Sequence, residues 1–205
     1  MHAIVYLAIV GPKWGLLCVN ITKPHTKPHP THTSISKYFH YICKEKNHLD
    51  PNMEKVINFA IDGWTLGSTH GISHWQRVER NGILLARYSN NPDINLRVVR
   101  CFAYLHDKWR KDDGWNLLHG PRAAQMIPSI RHTILSHLTD HEVHLLQQAC
   151  ELHTSTHRTG NATIDTCFDA DRLDLDRVGI TPDPQRMASP AGSYLANNLH
   201  LLNEQ

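Results

Sequence analysis

The stretch Val98-Val99-Arg100-Cys101-Phe102-Ala103-Tyr104-Leu105 decides the fold, and His106-Asp107 follows it directly. The apolar run predicts a buried helix, and it ends on an imidazole and a carboxylate, two groups that suit a divalent metal. Neighbouring residues on a helix point in different directions, but this pair can still converge on one ion where the last turn loosens. The chain contains 17 histidines, so a His-Asp dipeptide also arises by chance. The dipeptide indicates a metal site only if further ligands occur elsewhere in the chain.

The composition is that of one ordinary folded domain. With 205 residues, of which 40% are hydrophobic, the chain is long enough for a core and too polar for a membrane bundle. A net charge of +2 without a basic cluster indicates neither a nucleic-acid polymer nor a membrane as partner. The five cysteines form no C-x-x-C pair, and Cys101 and Cys150 fall on apolar helical faces. We therefore expect a cytoplasmic protein with buried thiols, and the sequence gives no signal for its oligomeric state.

Residues 1–52 differ from the rest of the chain. Ile4–Val10 is apolar but too short to span a bilayer. Ile21–Thr33 is rich in Lys-Pro-His, whose prolines exclude a helix and whose composition cannot bury a core. The sequence therefore predicts a poorly structured extension over 1–52, a functional domain over 53–190 and a C-terminal tail over 191–205.

Helical periodicity begins at Met53 and continues through the functional domain. No alternating strand pattern and no internal repeat is present, so the sequence predicts an all-α architecture. Ser73 and Asp140 are the expected N-caps of two of the helices. The predicted helices are Met53–Trp64, His74–Tyr88, one from Asn95, one from His119, one after Asp140, and Ile164–Leu175.

Several polar side chains fall on the core side of these helices. Burial of such a group costs free energy unless the group is paired, hydrogen-bonded or bound to a metal. Taken singly, His74 or His153 is best explained as an isolated capping or core residue. Taken as a set, they favour a metal site, since helix bundles build such sites from facing helices. The set comprises His74, His106 with Asp107, and Asp169, with His119 and His153 in the same zone.

The order His…His-Asp…Asp resembles the HD-domain superfamily of metal-dependent phosphohydrolases. Longer segments resemble a group of uncharacterised bacterial HD-domain proteins, and the most specific of them is Asp169-Ala170-Asp171-Arg172-Leu173-Asp174. The resemblance covers Met53 to Pro190 and leaves out the N-terminal extension. The other segments that carry it are His70–Val78, Phe102–Asp107, His119–Ala124 and Ala149–Thr154.

The resemblance implies an HD-domain helical bundle and a set of metal ligands. His74, His106, Asp107 and Asp169 would hold one divalent ion, with Mn, Mg, Fe, Co, Ni and Zn as candidates. His119 and His153 fall where some members hold a second metal or bind the substrate phosphate. Asp171 and Asp174 are near competitors for the fourth position, but the pattern favours Asp169, with Asp171 and Arg172 as residues that orient ligands or cap the helix.

A site of this kind implies hydrolysis of a small phosphate ester, with nucleotides among the candidates. Asp107 would both bind the ion and orient the attacking water, and Lys108, which departs from the family pattern, is a second candidate catalytic residue. Arg77 and Arg122 are candidates for binding the phosphate. The sequence has neither a P-loop nor a G-x-S-x-G elbow. The alternatives are a non-catalytic, metal-binding regulatory module and a di-iron oxygenase of HD type.

Overall fold

The computed structural model describes residues 50–203 and the backbone of two short segments near the N-terminus. The chain divides into two units, Met1–Phe39 and His40–Gln205. The prediction for Ile21–Thr33 lies outside the described residues, and the proposed boundaries at 52/53 and 190/191 stay predictions.

The first unit contains an antiparallel hairpin of β1 (Tyr6–Val10) and β2 (Lys13–Leu17). Tyr6 lies opposite Leu17, and Val10 lies opposite Lys13. The expectation that no strand occurs is wrong for this segment. The apolar run that contains β1 is rich in β-branched residues, which suit a strand when a partner segment follows closely.

Within residues 50–203, the second unit contains a bundle of seven α-helices and no strand. This confirms the all-α prediction for the part of the chain that carries the candidate ligands. None of the described helices is long and apolar enough to cross a membrane. The helices are α1 (Pro51–Ile61), α2 (Ile72–Ser89), α3 (Leu96–Leu105), α4 (His119–Met126), α5 (Asp140–Leu152), α6 (Ala162–Arg172) and α7 (Pro190–Ala196).

Helix α3 is the centre of the bundle and packs against α1, α2, α5 and α6. Val98, Val99 and every residue from Cys101 to Leu105 are buried. A helix that is apolar on nearly all sides is buried on all sides, which explains why this run organises the fold. The Asn95 side chain caps its N-terminus by accepting hydrogen bonds from two backbone amides. Its C-terminus therefore delivers His106 and Asp107 into the interior.

Two helix starts differ from the sequence prediction. Helix α5 is capped by Thr139, not by Asp140, because Thr139 and Glu142 exchange the two hydrogen bonds of a capping box. Helix α2 begins one residue before Ser73, with Gly71 at the N-cap position. Neither shift moves a candidate ligand off its helix.

Two glycines allow helices to approach closely beside the candidate ligands. A Cβ at Gly82 of α2 would collide with the Val99 side chain of α3. A Cβ at Gly120 of α4 would collide with the Cys150 carbonyl and would meet the His153 ring of α5 at 3.0 Å. The close contact between α4 and α5 brings His119 and His153 together.

Candidate metal centre

Four buried histidines from four different helical segments meet in the interior. His74 lies near the start of α2, His106 at the end of α3, His119 at the start of α4 and His153 at the end of α5. The Nε2 atoms of His74 and His106 are 3.2 Å apart. Those of His119 and His153 are 2.8 Å apart. The bundle thus assembles two pairs of facing imidazoles.

The first pair has its tautomers set by oxygen acceptors. His74 Nδ1 lies 2.7 Å from the Asp174 carboxylate, and His106 Nδ1 lies 3.1 Å from the Phe102 carbonyl oxygen. Because a carbonyl or an ionised carboxylate only accepts, each Nδ1 must carry a proton and donate. Both Nε2 atoms are then left with lone pairs that face each other. Burial lowers the pKa of His74, although its hydrogen bond to Asp174 opposes this.

The second pair is arranged in the same way. His153 Nδ1 donates to the Cys150 carbonyl oxygen at 2.7 Å, and His119 Nδ1 contacts the Asn116 carbonyl oxygen. The Arg110 guanidinium also approaches His119 Nδ1, at 2.9 Å, but the carbonyl is closer and can only accept, so we assign the proton to His119 Nδ1. Burial lowers the pKa of His153 to about 3 and also lowers that of His119. Two more Nε2 lone pairs therefore point inward.

Two carboxylates complete the first group. Asp107 Oδ2 lies 3.6 Å from His74 Nε2 and 3.5 Å from His106 Nε2. Asp171 Oδ1 lies 3.5 Å and 3.9 Å from the same two atoms. Donor atoms that bind one tetrahedral ion at about 2.1 Å are about 3.4 Å apart, so the spacing fits a coordination shell. Asp171 Oδ1 is buried without a hydrogen-bond partner, which a cation at this position would supply.

Asp107 also faces the second group through its other oxygen. Its Oδ1 lies 3.2 Å from His119 Nε2 and 3.1 Å from Arg110 Nη1. Asp107, His119 and His153 have donor atoms close enough together to hold an ion of their own. Asp107 therefore bridges the two groups, as a carboxylate shared by two ions would.

The carboxylates are ionised at neutral pH. Burial by itself raises the pKa of Asp107, but His106, His119 and the Arg110 guanidinium outweigh it and lower that pKa to about 2. Burial likewise opposes ionisation of Asp171, but Arg177 and the neighbouring histidines hold its pKa well below the usual range. The donor set thus combines imidazoles with charged carboxylates, which suits a divalent transition metal.

Asp174 is a supporting residue behind His74. It accepts a hydrogen bond from His74 Nδ1 on one side and hydrogen bonds from Arg77 Nε and Nη2 on the other. These contacts lower the pKa of Asp174 against the opposing effect of burial. A carboxylate in this position fixes the ring orientation of a metal-binding histidine and makes it a stronger donor.

The structure does not bring Asp169 into this centre. Its carboxylate accepts hydrogen bonds from the backbone amides of Ala188 and Ser189 and from the Ser189 hydroxyl. Residues two apart on a helix point about 200° away from each other, so Asp169 and Asp171 face opposite sides of α6. The prediction of Asp169 as the fourth ligand therefore does not fit the geometry. Asp171, which the sequence pattern assigned an orienting role, occupies that position.

Three predicted basic residues also lie away from the donor atoms. Lys108 donates to the Asp62 carbonyl oxygen and lies over the Phe59 ring, 5.6 Å from its centroid, so a catalytic role does not fit its position. Arg122 donates to the Trp109 carbonyl and to the Asn116 side chain. Arg77 binds Asp174. None of the three contacts a candidate metal ligand, whereas Arg110 and Arg177 do.

The sequence contains a signal for the ligand that was misassigned. Asp171 and Asp174 are three residues apart, with Arg177 three further on, which places them on one side of a helical path. Asp169 and Arg172 share the other side in the same way, 3.8 Å apart. Helical spacing alone separates the two sets but does not say which of them faces the histidines.

Comparison with known proteins finds one informative likeness. Neither protein-family models nor curated proteins give a match. A crystal structure described as a "predicted HD superfamily hydrolase", from an uncultured Thermotogales bacterium, superposes with a TM-score of 0.54 and 21% sequence identity. The alignment covers 76% of this chain and 87% of that one. The chain therefore shares the fold of that protein, in agreement with the resemblance of its motifs.

Proposed function

We propose that the protein is a metal-dependent phosphohydrolase that cleaves a small phosphate ester. The observation that carries this proposal is the set of four inward Nε2 lone pairs beside two ionised carboxylates. Such a set is electrostatically unfavourable unless cations lie within it. The fold likeness to a protein described as a "predicted HD superfamily hydrolase" supports hydrolysis as the reaction class.

The primary ion would be held by His74, His106, Asp107 and Asp171. Mixed nitrogen and oxygen donors favour Mn, Fe, Co, Ni or Zn over Mg, which prefers an all-oxygen shell. When bound, a divalent ion supplies Lewis acidity toward water and toward a phosphoryl oxygen. His119 and His153, with Asp107, would hold a second ion or contact the substrate phosphate.

The chain's own side chains would do the remaining work. Asp107 Oδ1 is an acceptor at the junction of the two groups, so it can orient a water molecule by taking a hydrogen bond from it. The Arg110 and Arg177 guanidinium groups each approach one carboxylate of the centre, at 3.1 Å and 3.5 Å. Their positive charge and fork of donors can attract and orient a phosphate group. Arg110 and Arg177 thus replace Arg77 and Arg122 as the phosphate-binding candidates.

A cytoplasmic location and a small phosphorylated substrate are parts of the same proposal. The described cysteines Cys101, Cys150 and Cys167 are free and buried, as is usual in a reducing compartment. Burial raises the pKa of Cys101 to about 12, so this thiol stays protonated and unreactive.

The test combines metal analysis with a phosphate-release screen. The purified full chain should contain a transition metal and release phosphate from at least one ester among nucleoside monophosphates and p-nitrophenyl phosphate, with Mn²⁺ or Co²⁺ supplied. Release should stop with EDTA and in His106→Ala and Asp107→Ala, whereas Lys108→Met, the matched control, should retain it. A metal-loaded protein that releases no phosphate from any ester would contradict the proposal. That result would favour the regulatory module, or the oxygenase if two irons are bound and dioxygen is consumed.

A further inference from the structure

A cavity of 340 Å³ lies beside α2 and the C-terminal end of α6. None of the six candidate donor side chains lines it. The cavity therefore lies outside the donor set, although Asp174 and Arg177 border both. Its lining combines three guanidinium groups with four apolar side chains: Arg77, Arg80 and Arg177, and Leu173, Pro182, Leu199 and Leu202.

Arg80 is the unexplained group in this lining. Its Nε is buried without a hydrogen-bond partner, and the described residues make neither a hydrogen bond nor an ion pair with its guanidinium. Arg80 as a whole is only partly buried, but its Nε is screened from water, and a buried donor without an acceptor costs free energy. The chain therefore keeps a cation in the cavity wall with its donors unused.

The other charges of the lining do not balance Arg80. Arg77 and Arg177 both contact the Asp174 carboxylate, which also accepts a hydrogen bond from His74 Nδ1. Asp176 is exposed to solvent. Arg177 also pairs with Asp171, which lies outside the lining, so Arg80 is the guanidinium of the lining that has no ion pair with a described residue.

We propose that this cavity binds a small amphipathic anion, with a phosphate group on Arg80 and a ring against the apolar wall. The planar fork of arginine matches a phosphate with two parallel hydrogen bonds, and Arg77 and Arg177 add donors beside it. The volume is at the lower end of the range for small-molecule pockets, about 300–1,000 Å³, which suits one ring and one phosphate. A nucleoside monophosphate has these parts. The site does not depend on the proposed hydrolase activity.

Calorimetric titration of the full chain with adenosine 5′-monophosphate and with inorganic phosphate tests the proposal. The monophosphate should bind both the protein as purified and the EDTA-treated protein, because the cavity contains no metal ligand. Arg80→Met should weaken binding about tenfold or more, since a charge-assisted pair is lost, and Arg80→Lys should weaken it less. Arg87→Met is the matched control: it removes the same charge from an exposed position on the same helix that does not line the cavity.

Two outcomes would overturn the assignment. One is wild-type affinity for the monophosphate in Arg80→Met. The other is complete loss of binding after EDTA treatment while circular dichroism shows an unchanged fold, since the anion would then bind only at the metal centre. Equal affinity for inorganic phosphate and the monophosphate would assign the site to free phosphate, because the apolar wall would add nothing. Failure of the phosphate-release screen would leave these results unaffected.

Discussion

The two sides of α6 each carry an aspartate, but the two carboxylates differ in their hydrogen-bond partners. On one side, Asp169 accepts three hydrogen bonds from Ala188 and Ser189 and ties α7 to the bundle. On the other side, Asp171 directs a buried oxygen without a hydrogen-bond partner toward the Nε2 atoms of His74 and His106. The first carboxylate has its hydrogen bonds supplied by the chain itself, whereas the second has an ion pair with Arg177 at 3.5 Å but no hydrogen bond to its buried oxygen. This difference separates an aspartate with a structural role from a candidate ligand.

The largest expected effect is on metal affinity, when each of the two aspartates is replaced by asparagine in turn. Asp171→Asn should lower metal affinity by about 100-fold or more, because an anionic donor to the ion is lost. Asp169→Asn, the matched variant two residues away, should keep its metal. Metal content after dialysis and the metal dependence of phosphate release measure both. Loss of metal from Asp169→Asn with retention in Asp171→Asn would reverse the comparison.

The free energy of unfolding should depend more on Asp169 than on Asp171. Asp169→Ala removes the acceptor for two backbone amides and one hydroxyl, so we expect the free energy of unfolding to fall by about 2–4 kcal/mol. Urea denaturation of the metal-free protein measures this change. Asp171→Ala should cost less there, since its Oδ1 makes no hydrogen bond in the native state. Equal losses in the two variants would show that the satisfied carboxylate is not the structural one.

A smaller effect is expected from the residue behind the ligands. Asp174→Asn keeps the shape of the side chain but weakens the acceptor for the His74 Nδ1 proton, so metal affinity should fall by about 10–100-fold. The number of ions bound at saturation should stay the same, and competition with a chelator measures the affinity. An unchanged affinity would mean that the hydrogen bond from His74 to Asp174 does not affect metal binding.

Proton binding on the ligand side should give the smallest of these effects. The pKa of His153 is about 3 in the native state, against 6.5 for an unperturbed histidine, because of burial. The native state then holds fewer protons than the unfolded chain below pH 6.5, so stability present at neutral pH is lost as the pH falls. Between pH 7 and pH 5 the metal-free protein should lose about 1–2 kcal/mol through this residue. His153→Gln should flatten the pH dependence of urea denaturation, and an unchanged slope would contradict the assignment.

The sequence predicted the elements whose signals are local. The apolar run before His106-Asp107 could be interpreted directly, because a helix buried on all sides has no polar face to obscure its pattern. The resemblance of the motifs supplied the histidines, and the structure brings His74, His106, His119 and His153 together. The choice between Asp169 and Asp171 depended on which neighbour each one meets, and that neighbour is far away in the chain.

The remaining differences have the same origin. Ser189 and Ala188, which hold Asp169, lie about 20 residues beyond it, in a segment whose sequence shows only weak apolar character. Lys108 has a charge suited to phosphate, but its long side chain extends to the Asp62 carbonyl and leaves the site. Strand β1 requires a partner segment, which periodicity within one run cannot reveal.

Asp174 stands between a histidine of the metal centre and two arginines of the neighbouring cavity. If the proposed anion drew Arg77 and Arg177 toward itself, this carboxylate would become a stronger acceptor for the His74 Nδ1 proton, and His74 would become a stronger donor to the proposed ion. Thermodynamic reciprocity then requires the ion to tighten the hold on the anion by the same factor. The affinity for the anion would therefore depend on the metal loading at which it is measured.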